Sequence, residues 1–430
     1  MVNRRLTSAQ AAERLGIKPA TLYAYVSRGV LSRVRTPAGS TFDAQEVARL
    51  ARSSRHPAGE GASPARSTRL EEAGDPVFVT ELTLIDDGRL YYRGLDAVHL
   101  SRTRSFEEVA VWLWEGRWAP ERIPWKTPAP AGAAVSRALG SIETRTLPVE
   151  RFVVAAAVAA LTDELRHDLS PAAVAIVGRG LLSTLVDALP VVARPSRRAR
   201  LDGGSISERL WPRLSRLPLD PDRKAVLEAA LVLSADHELA PSTLAARVAA
   251  AFRADPYSVV ATGLGPASGS WRSGSSGAPS EVENLLAEAA GTDAERAIGE
   301  RLRRTGSSVH GFGMPLYPAG DPRGAELLSR LEGVRGHPDR HALVDRVVAL
   351  GQARGFPAPN VDLGLGALAF CGDMIAGAGQ AIATLGKAAG WLAHAMEEYA
   401  DPTRFRTRAA YLGPAPPSPQ WCDLPPQMGE

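Results

Sequence analysis

The sequence predicts a mostly α-helical protein that carries a small winged helix-turn-helix unit at its N-terminus. Three observations support this. Apolar residues recur at helical spacing in many segments from Phe106 onward. Residues 5–52 hold two short helix patterns joined by a Gly-containing turn and followed by a basic hairpin pattern. Residues 53–69 are rich in Ser, Pro, Gly, Ala and Arg, lack apolar periodicity, and read as a linker between that unit and the rest.

The 430 residues suffice for two or three domains. Charged residues make up 23% and hydrophobic ones 45%, the balance of an ordinary soluble globular chain. Two cysteines, Cys371 and Cys422, cannot build a disulfide framework, which fits a reducing cytoplasm. There is no run of about 18 apolar residues and no N-terminal signal pattern, so no membrane partner is expected. The net charge of +3 is uneven: residues 1–69 hold many Arg and Lys and few acids. A basic module on a neutral body points to the module, rather than the whole protein, as the part that meets a polyanion.

Along the chain, Ser8–Gly16 reads as a short helix capped by Thr7 or Ser8, with Gly16 as its stop. Ala20–Arg28 reads as a second helix stopped by Gly29, and Arg33–Phe42 as a basic two-stranded wing. Asp43–Arg52 follows as a third helix. Glu81–Leu90 reads as a hairpin with Asp-Gly at its turn. Helical periodicity then marks Phe106–Trp114, Val149–Asp163, Ala225–Ser234, Ser242–Phe252, Glu281–Ala290, Ala294–Thr305, His341–Ala353 and Ala388–Tyr399. After Gly413 a Pro-rich tail is extended or lies over a partner's surface. No internal repeat and no metal-ligand spacing occurs, and the Gly-rich run 263–277 lacks the Lys-Ser/Thr ending of a phosphate loop.

The segment AAERLGIKPATLYAYVSRGVL, with a wing ending in Phe42-Asp43, resembles the helix-turn-helix of the MerR and excisionase type. The resemblance implies a second helix in the major groove of DNA. It makes Lys18, Thr21, Arg28, Arg33 and Arg35 the candidate phosphate or base contacts. A retained fold without DNA affinity, or a protein-binding module, is the alternative. One such module binds weakly, so tight binding requires dimerisation through the body.

The body resembles citrate synthase through three segments. The first is Gly88-Arg-Leu-Tyr-Tyr-Arg-Gly-Leu-Asp with Ser105-Phe-Glu-Glu-Val-Ala. The second is Leu231-Val-Leu-Ser-Ala-Asp-His-Glu-Leu-Ala-Pro-Ser-Thr with Ala246-Arg247. The third runs from Gly311-Phe-Gly-Met-Pro-Leu-Tyr-Pro-Ala-Gly-Asp-Pro-Arg through Pro359-Asn-Val-Asp-Leu to Gly390-Trp-Leu-Ala-His-Ala-Met-Glu and Arg408-Ala-Ala-Tyr-Leu-Gly-Pro. The resemblance implies a two-domain helical fold, with a large domain of about 70–275 and 373–430 and a small domain of about 276–372. It also implies a homodimer with a cleft between domains, no permanently bound cofactor or metal, and acetyl-CoA as a co-substrate.

That chemistry needs a carboxylate to take a methyl proton, neutral donors for the developing oxyanions, and cations for the keto-acid carboxylates. The resemblance makes Asp362 the base, His237 an oxaloacetate-binding histidine and Arg323 a keto-acid arginine. Arg406 or Arg408 becomes the arginine that reaches across the dimer, and Gly311, Phe312 and Gly313 border the acyl-CoA. Taken alone, Asp362 also reads as a helix N-cap. His394 and Trp391, at helical spacing, read as packing residues.

Three positions depart from the family pattern. Met314 stands where the family has a catalytic histidine, and a thioether cannot donate a hydrogen bond. His310 lies four residues earlier. The segment that normally carries the enol-stabilising histidine has none here, and Arg272 or Ser275 occupies the place. Lys387 replaces an arginine and is not an equivalent fork. Loss of one preorganised donor costs ~10²–10³ in rate, so impaired or altered condensation of an acyl-CoA with oxaloacetate or a related 2-oxo acid is expected. The alternatives are an inactive DNA-binding regulator, or a subunit that pairs with an intact paralogue in a heterodimer.

Overall fold

The computed structural model divides the chain into two compact units, Met1–Val77 and Phe78–Glu430. It describes residues 5–15, 33–36, 39–43, 78–119, 125–143, 146–193, 203–269, 278–305, 309–403 and 405.

The first unit holds β1 (Arg5–Thr7), α1 (Ser8–Leu15), β2 (Arg33–Thr36) and β3 (Gly39–Asp43). Thr7 caps α1 reciprocally with Gln10. The Gln10 N–H donates to Thr7 Oγ1 at 3.4 Å and the Thr7 N–H donates to Gln10 Oε1 at 3.0 Å. The strands form an antiparallel sheet in the order β1-β3-β2, with Leu6 opposite Phe42 and Val34 opposite Thr41. Leu6, Ala11, Ala12 and Phe42 are buried between helix and sheet. Strand β1 has no counterpart in the sequence reading, and Asp43, expected to open a helix, ends β3. The helix expected at 20–28 lies outside the described residues, as do Lys18, Thr21 and Arg28.

The second unit opens with β4 (Thr83–Asp86), β5 (Arg89–Tyr92) and β6 (Leu95–Asp96). Asp87 and Gly88 connect β4 to β5 with φ of 45° and 69°, the left-handed pair that a two-residue hairpin needs. The helices follow as α2 (Ala97–Thr103), α3 (Phe106–Glu115), α4 (Ala129–Leu139), α5 (Pro148–Ala160), α6 (Pro171–Asp187), α7 (Ile206–Leu214) and α8 (Pro221–Leu233). Then come α9 (Pro241–Ala251), α10 (Pro256–Ser268), α11 (Ala278–Gly291), α12 (Ala294–Thr305), α13 (Pro322–Arg330), α14 (Pro338–Ala353), α15 (Val361–Cys371) and α16 (Ala378–Ala400). Much of the proline sits at first helical positions, as in Pro148, Pro171, Pro221, Pro241, Pro256, Pro322 and Pro338. There the missing N–H has no helical partner to lose. Among the described residues, no helix is long and apolar enough to cross a membrane, and no cluster of three or more His, Cys, Asp or Glu could hold a metal.

Helix α16 is buried along almost its whole length and touches α3, α8, α9, α10 and α15. Two small residues let another backbone reach it. A Cβ at Gly386 would lie 2.9 Å from the Leu231 carbonyl, and one at Gly390 would collide with the Ala235 carbonyl. The Gly390 N–H donates to that Ala235 oxygen at 3.0 Å. The chain leaving α8 is thereby pinned against the middle of α16, and His237 follows directly.

Candidate active site

Helix α15 starts at Asn360, whose Oδ1 accepts the N–H groups of Asp362 at 3.0 Å and Leu363 at 3.3 Å. Asn360, not Asp362, is therefore the cap, and the carboxylate of Asp362 remains uncommitted in the first turn. No donor among the described residues hydrogen-bonds to it. The residue is only 4% exposed. Burial pushes its carboxyl from 3.8 up to about 6; Lys387 and Arg323 pull it back, and Asp321 adds to the rise.

The segment 309–320 is clamped to the start of α15. Asn360 Nδ2 donates to the Gly313 carbonyl at 2.8 Å, the Asn360 N–H to the Gly311 carbonyl at 2.9 Å, and the Gly313 N–H to the Ala358 carbonyl at 2.9 Å. Phe312 forms a bridge with Pro359. Gly311 has φ +95°, and a Cβ there would lie 2.7 Å from Leu363 Cδ1, so this position accepts only glycine without rearrangement. His310 is half-buried at the head of the segment, and Met314 is half-buried further on, its carbonyl accepting the Tyr317 N–H at 2.9 Å. The segment delivers Tyr317, whose hydroxyl lies 3.0 Å from His237 Nε2.

His237 is buried, and burial with the nearby Arg323 and Lys387 charges holds its imidazole well below the usual pKa of 6.5. It is a neutral ring at physiological pH. Arg323 is also buried, but one edge of its guanidinium is already occupied. Nε donates to Asp321 Oδ1 at 3.0 Å and Nη2 to Asp321 Oδ2 at 2.9 Å. Asp321 also caps α13 and accepts the Val361 N–H at 3.0 Å, so it ties α13 to α15 beside Asp362. The Arg323 guanidinium lies 5.3 Å from the Tyr317 ring centre. Lys387 emerges from the middle of α16. Burial pushes its ammonium below the ordinary lysine range; Asp362 and Asp236 oppose that, while Arg323 adds to it.

Next to His237 lies a buried polar network that the sequence reading did not contain. His394, read as a packing residue, is fully buried and hydrogen-bonded at both ring nitrogens. Arg247 can only donate, so His394 Nδ1, 2.9 Å from Arg247 Nη1, is the acceptor. His394 Nε2–H therefore donates to Asp236 Oδ2 at 3.1 Å. Thr83 donates to the same carboxylate oxygen, and the Tyr92 hydroxyl reaches the Val232 carbonyl at 3.0 Å and the Asp236 carbonyl at 3.2 Å. Arg247 also pairs with Glu398 at 2.6 Å and Glu397 at 3.0 Å. Hydrogen bonds on the residue before His237 and the bond from Tyr317 thus fix that imidazole from two directions. Trp391 is fully buried against Gly263, as packing requires.

The structure brings Asp362, Arg323, Lys387, His237 and the unforeseen Tyr317 into one electrostatically connected cluster. Arg272, Arg406 and Arg408 lie outside the described residues. Residues 73–408 match the family model for the citrate synthase C-terminal domain. The chain belongs to the citrate synthase family. It is 30% identical over 200 residues to a citrate synthase of Synechocystis sp., a stretch covering 45% of this chain and 50% of that protein. It is 28% identical over 349 residues to citrate synthase 2 of Bacillus subtilis, covering 77% of this chain and 92% of the relative. In three dimensions it resembles the citrate synthase of Thermoplasma acidophilum, with TM-score 0.64 and 20% identity. That match covers 80% of this chain and 95% of the other, a ternary complex with carboxymethyl coenzyme A and oxaloacetate. Where the family resemblance places a catalytic histidine, this chain has Met314, a thioether that cannot donate a hydrogen bond.

Proposed function

We propose that the protein condenses acetyl-CoA, or a related acyl-CoA, with oxaloacetate or another 2-oxo acid by enolisation and aldol addition, and that water then hydrolyses the product thioester, leaving a carboxylate and free CoA thiol. The rate is expected to fall below that of relatives with both catalytic histidines. The observation that carries this reading is Asp362: a buried carboxylate, free of hydrogen bonds among the described residues, held near 6 beside two cations. At neutral pH it is mainly ionised, and no protein donor competes for its lone pairs. That is the state a base needs to take a proton from a thioester methyl. Neutral His237, oriented by Tyr317, offers a ring N–H to the keto acid, and Arg323 offers its unoccupied Nη1 to a carboxylate.

In this reading residues of about 70–275 and 373–430 form a large domain, 276–372 a small one, and acyl-CoA enters beside Gly311, Phe312 and Gly313. Acyl-CoA is consumed as a co-substrate rather than held. The reducing cytoplasm is the expected setting. A homodimer is part of the proposal. Exposed Val153 on α5, Leu161 and Leu165 just after it, and Ile176 on the neighbouring α6 supply apolar surface for a second copy. The test is free-thiol release by purified protein given acetyl-CoA and oxaloacetate. Turnover above background that disappears in Asp362→Ala supports the reading; background turnover unchanged by that substitution refutes it.

A second reading concerns the N-terminal unit. Its capped helix, three-stranded sheet and basic β2–β3 hairpin, which carries Arg33 and Arg35, favour DNA binding. A gel shift with the gene's own promoter at two salt concentrations tests it. Loss of affinity in Arg33→Ala/Arg35→Ala with a shallower salt slope is expected, and an unchanged slope argues against it.

A further inference from the structure

Lys387 is the cation of the candidate site whose situation the proposed reaction leaves unexplained. Its ammonium makes no hydrogen bond and no ion pair with any described residue. Nearby cations are engaged: Arg323 grips Asp321 with two nitrogens, and Arg247 holds Glu397 and Glu398. The placement of Lys387 is fixed by main-chain contact. Gly386 and Gly390, one on each side of it along α16, touch the chain at Leu231–Asp236, so Lys387 emerges beside Asp236 and His237. Its charge is felt by Asp362 and by His237. Meanwhile Met314 offers no hydrogen to an oxyanion.

We propose that the Lys387 ammonium donates to the keto oxygen of the 2-oxo acid and protonates it as the new carbon–carbon bond forms, supplying the donor that Met314 cannot. The inference rests on the condensation reading above. The enol carbon of the thioester attacks the keto carbon, and the carbonyl π pair moves onto oxygen. That oxygen takes a proton from Nζ and becomes the hydroxyl, leaving Lys387 as a neutral amine. Asp362 meanwhile holds the proton it took from the methyl group. Transfer of that proton from Asp362 to Nζ restores both groups, so substrate loses one proton and gains one. Burial, which lowers the proton affinity of Lys387, makes the ammonium a better acid than an exposed lysine.

Lys387→Arg and Lys387→Met separate this role from simple carboxylate binding. Arginine preserves the charge and can hold a carboxylate, but it does not give up its proton. The expected result for Lys387→Arg is a kcat lower by ~10²–10³-fold with the KM for oxaloacetate within a few-fold of wild type. Its kcat–pH profile should also lose its alkaline limb. The groups that face Lys387 are Asp362 from α15, Arg323 from α13, and Asp236 and His237 from the chain after α8, and all stay in place. A Lys387→Arg enzyme with wild-type kcat overturns the proposal. A readout independent of turnover is the carbonyl ¹³C resonance of bound [2-¹³C]oxaloacetate. A downfield shift on wild type that is lost in Lys387→Met supports the donor role. The same shift in both proteins overturns it while leaving the condensation reading to the thiol-release assay. Failure of wild type to bind oxaloacetate overturns both.

Discussion

Replacing Asp362 with asparagine should stabilise the protein, and the gain should depend on pH. The carboxyl is nearly fully buried without a hydrogen-bond donor among the described residues, and its pKa is raised from 3.8 to about 6. A carboxyl raised in the folded state binds protons more tightly there than in the unfolded chain. Folding is therefore unpenalised below about 3.8, and the penalty is complete above about 6. The gap between those values, at about 1.4 kcal/mol per pH unit, sets the penalty near pH 7.5 at about 3 kcal/mol. A neutral amide removes it. For a unit of this size the gain corresponds to a Tm higher by about 4 °C at pH 7.5. At pH 4 the advantage falls below about 1 kcal/mol, because the native carboxyl is then protonated. Differential scanning calorimetry of Asp362→Asn and wild type across pH 4–8 measures this directly, alongside loss of thiol release. An asparagine variant that melts at or below wild type at pH 7.5 would refute the reasoning, and so would an advantage independent of pH.

The remaining predictions concern the groups around that carboxylate. The kcat/KM of thiol release should fall as pH drops through about 6, as Asp362 takes up the proton that silences it, and a flat profile from pH 5 to 8 would remove it as the base. Tyr317→Phe removes the hydroxyl 3.0 Å from His237 Nε2. It should lower kcat/KM for the keto acid by about tenfold, with stability changed by about 1 kcal/mol in denaturant melts. Arg247→Met strands the fully buried Glu398 and should cost about 3–5 kcal/mol of stability, part of which a second change, Glu398→Gln, restores. Gly311→Ala forces a side chain onto a φ of +95° and against Leu363. It should cost about 1–3 kcal/mol and displace the segment that carries Tyr317, visible as loss of both melting temperature and turnover.

The parts of the fold that were legible in the sequence are those whose cause is local. The Asp87-Gly88 turn lies where the hairpin was expected, and α3 and α12 closely match segments with a clear apolar stripe. Helix α15 was legible only through its capping residues, because it is apolar on nearly every side and has no stripe to detect, and α6, likewise deeply buried, was missed. Helix α10 was missed because Gly263, Gly265 and Pro266 read as punctuation in a chain that in fact packs its Gly263 against Trp391. In the candidate site, Asp362, His237 and Arg323 stood out by their motifs. Tyr317, Asp236, Asn360 and the polar role of His394 did not, because those roles exist only across contacts. His237 and Tyr317 are 80 residues apart, and His394 and Asp236 are 158 apart. Lys387 read from sequence as a poor substitute for a guanidinium fork. Only the folded chain shows that its ammonium has no protein partner among the described residues, which turns attention from what it replaces to what it can reach.

The handling of buried charge bears on whether this body is catalytic or merely ancestral. Several buried charges in the second unit are matched by an ion of opposite sign, although Glu283 and the Glu107–Glu228 pair are not and are likewise raised by burial. Arg209 lies on Asp187 at 2.5 Å, Arg323 on Asp321 at 2.9 Å and Arg247 on Glu398 at 2.6 Å, and Glu326 is shared by Arg102 and Arg330. Asp362 and Lys387 instead feel each other's charge without a hydrogen bond between them, and each has its charged form disfavoured by burial. A carboxylate without a hydrogen bond, at a cost of about 3 kcal/mol, near an ammonium likewise without one, is what the proposed pairing of proton acceptor and proton donor requires. If the Lys387 proposal holds, the histidine absent at Met314 marks a changed donor rather than a dead site, and the Lys387→Arg turnover measurement decides between the two.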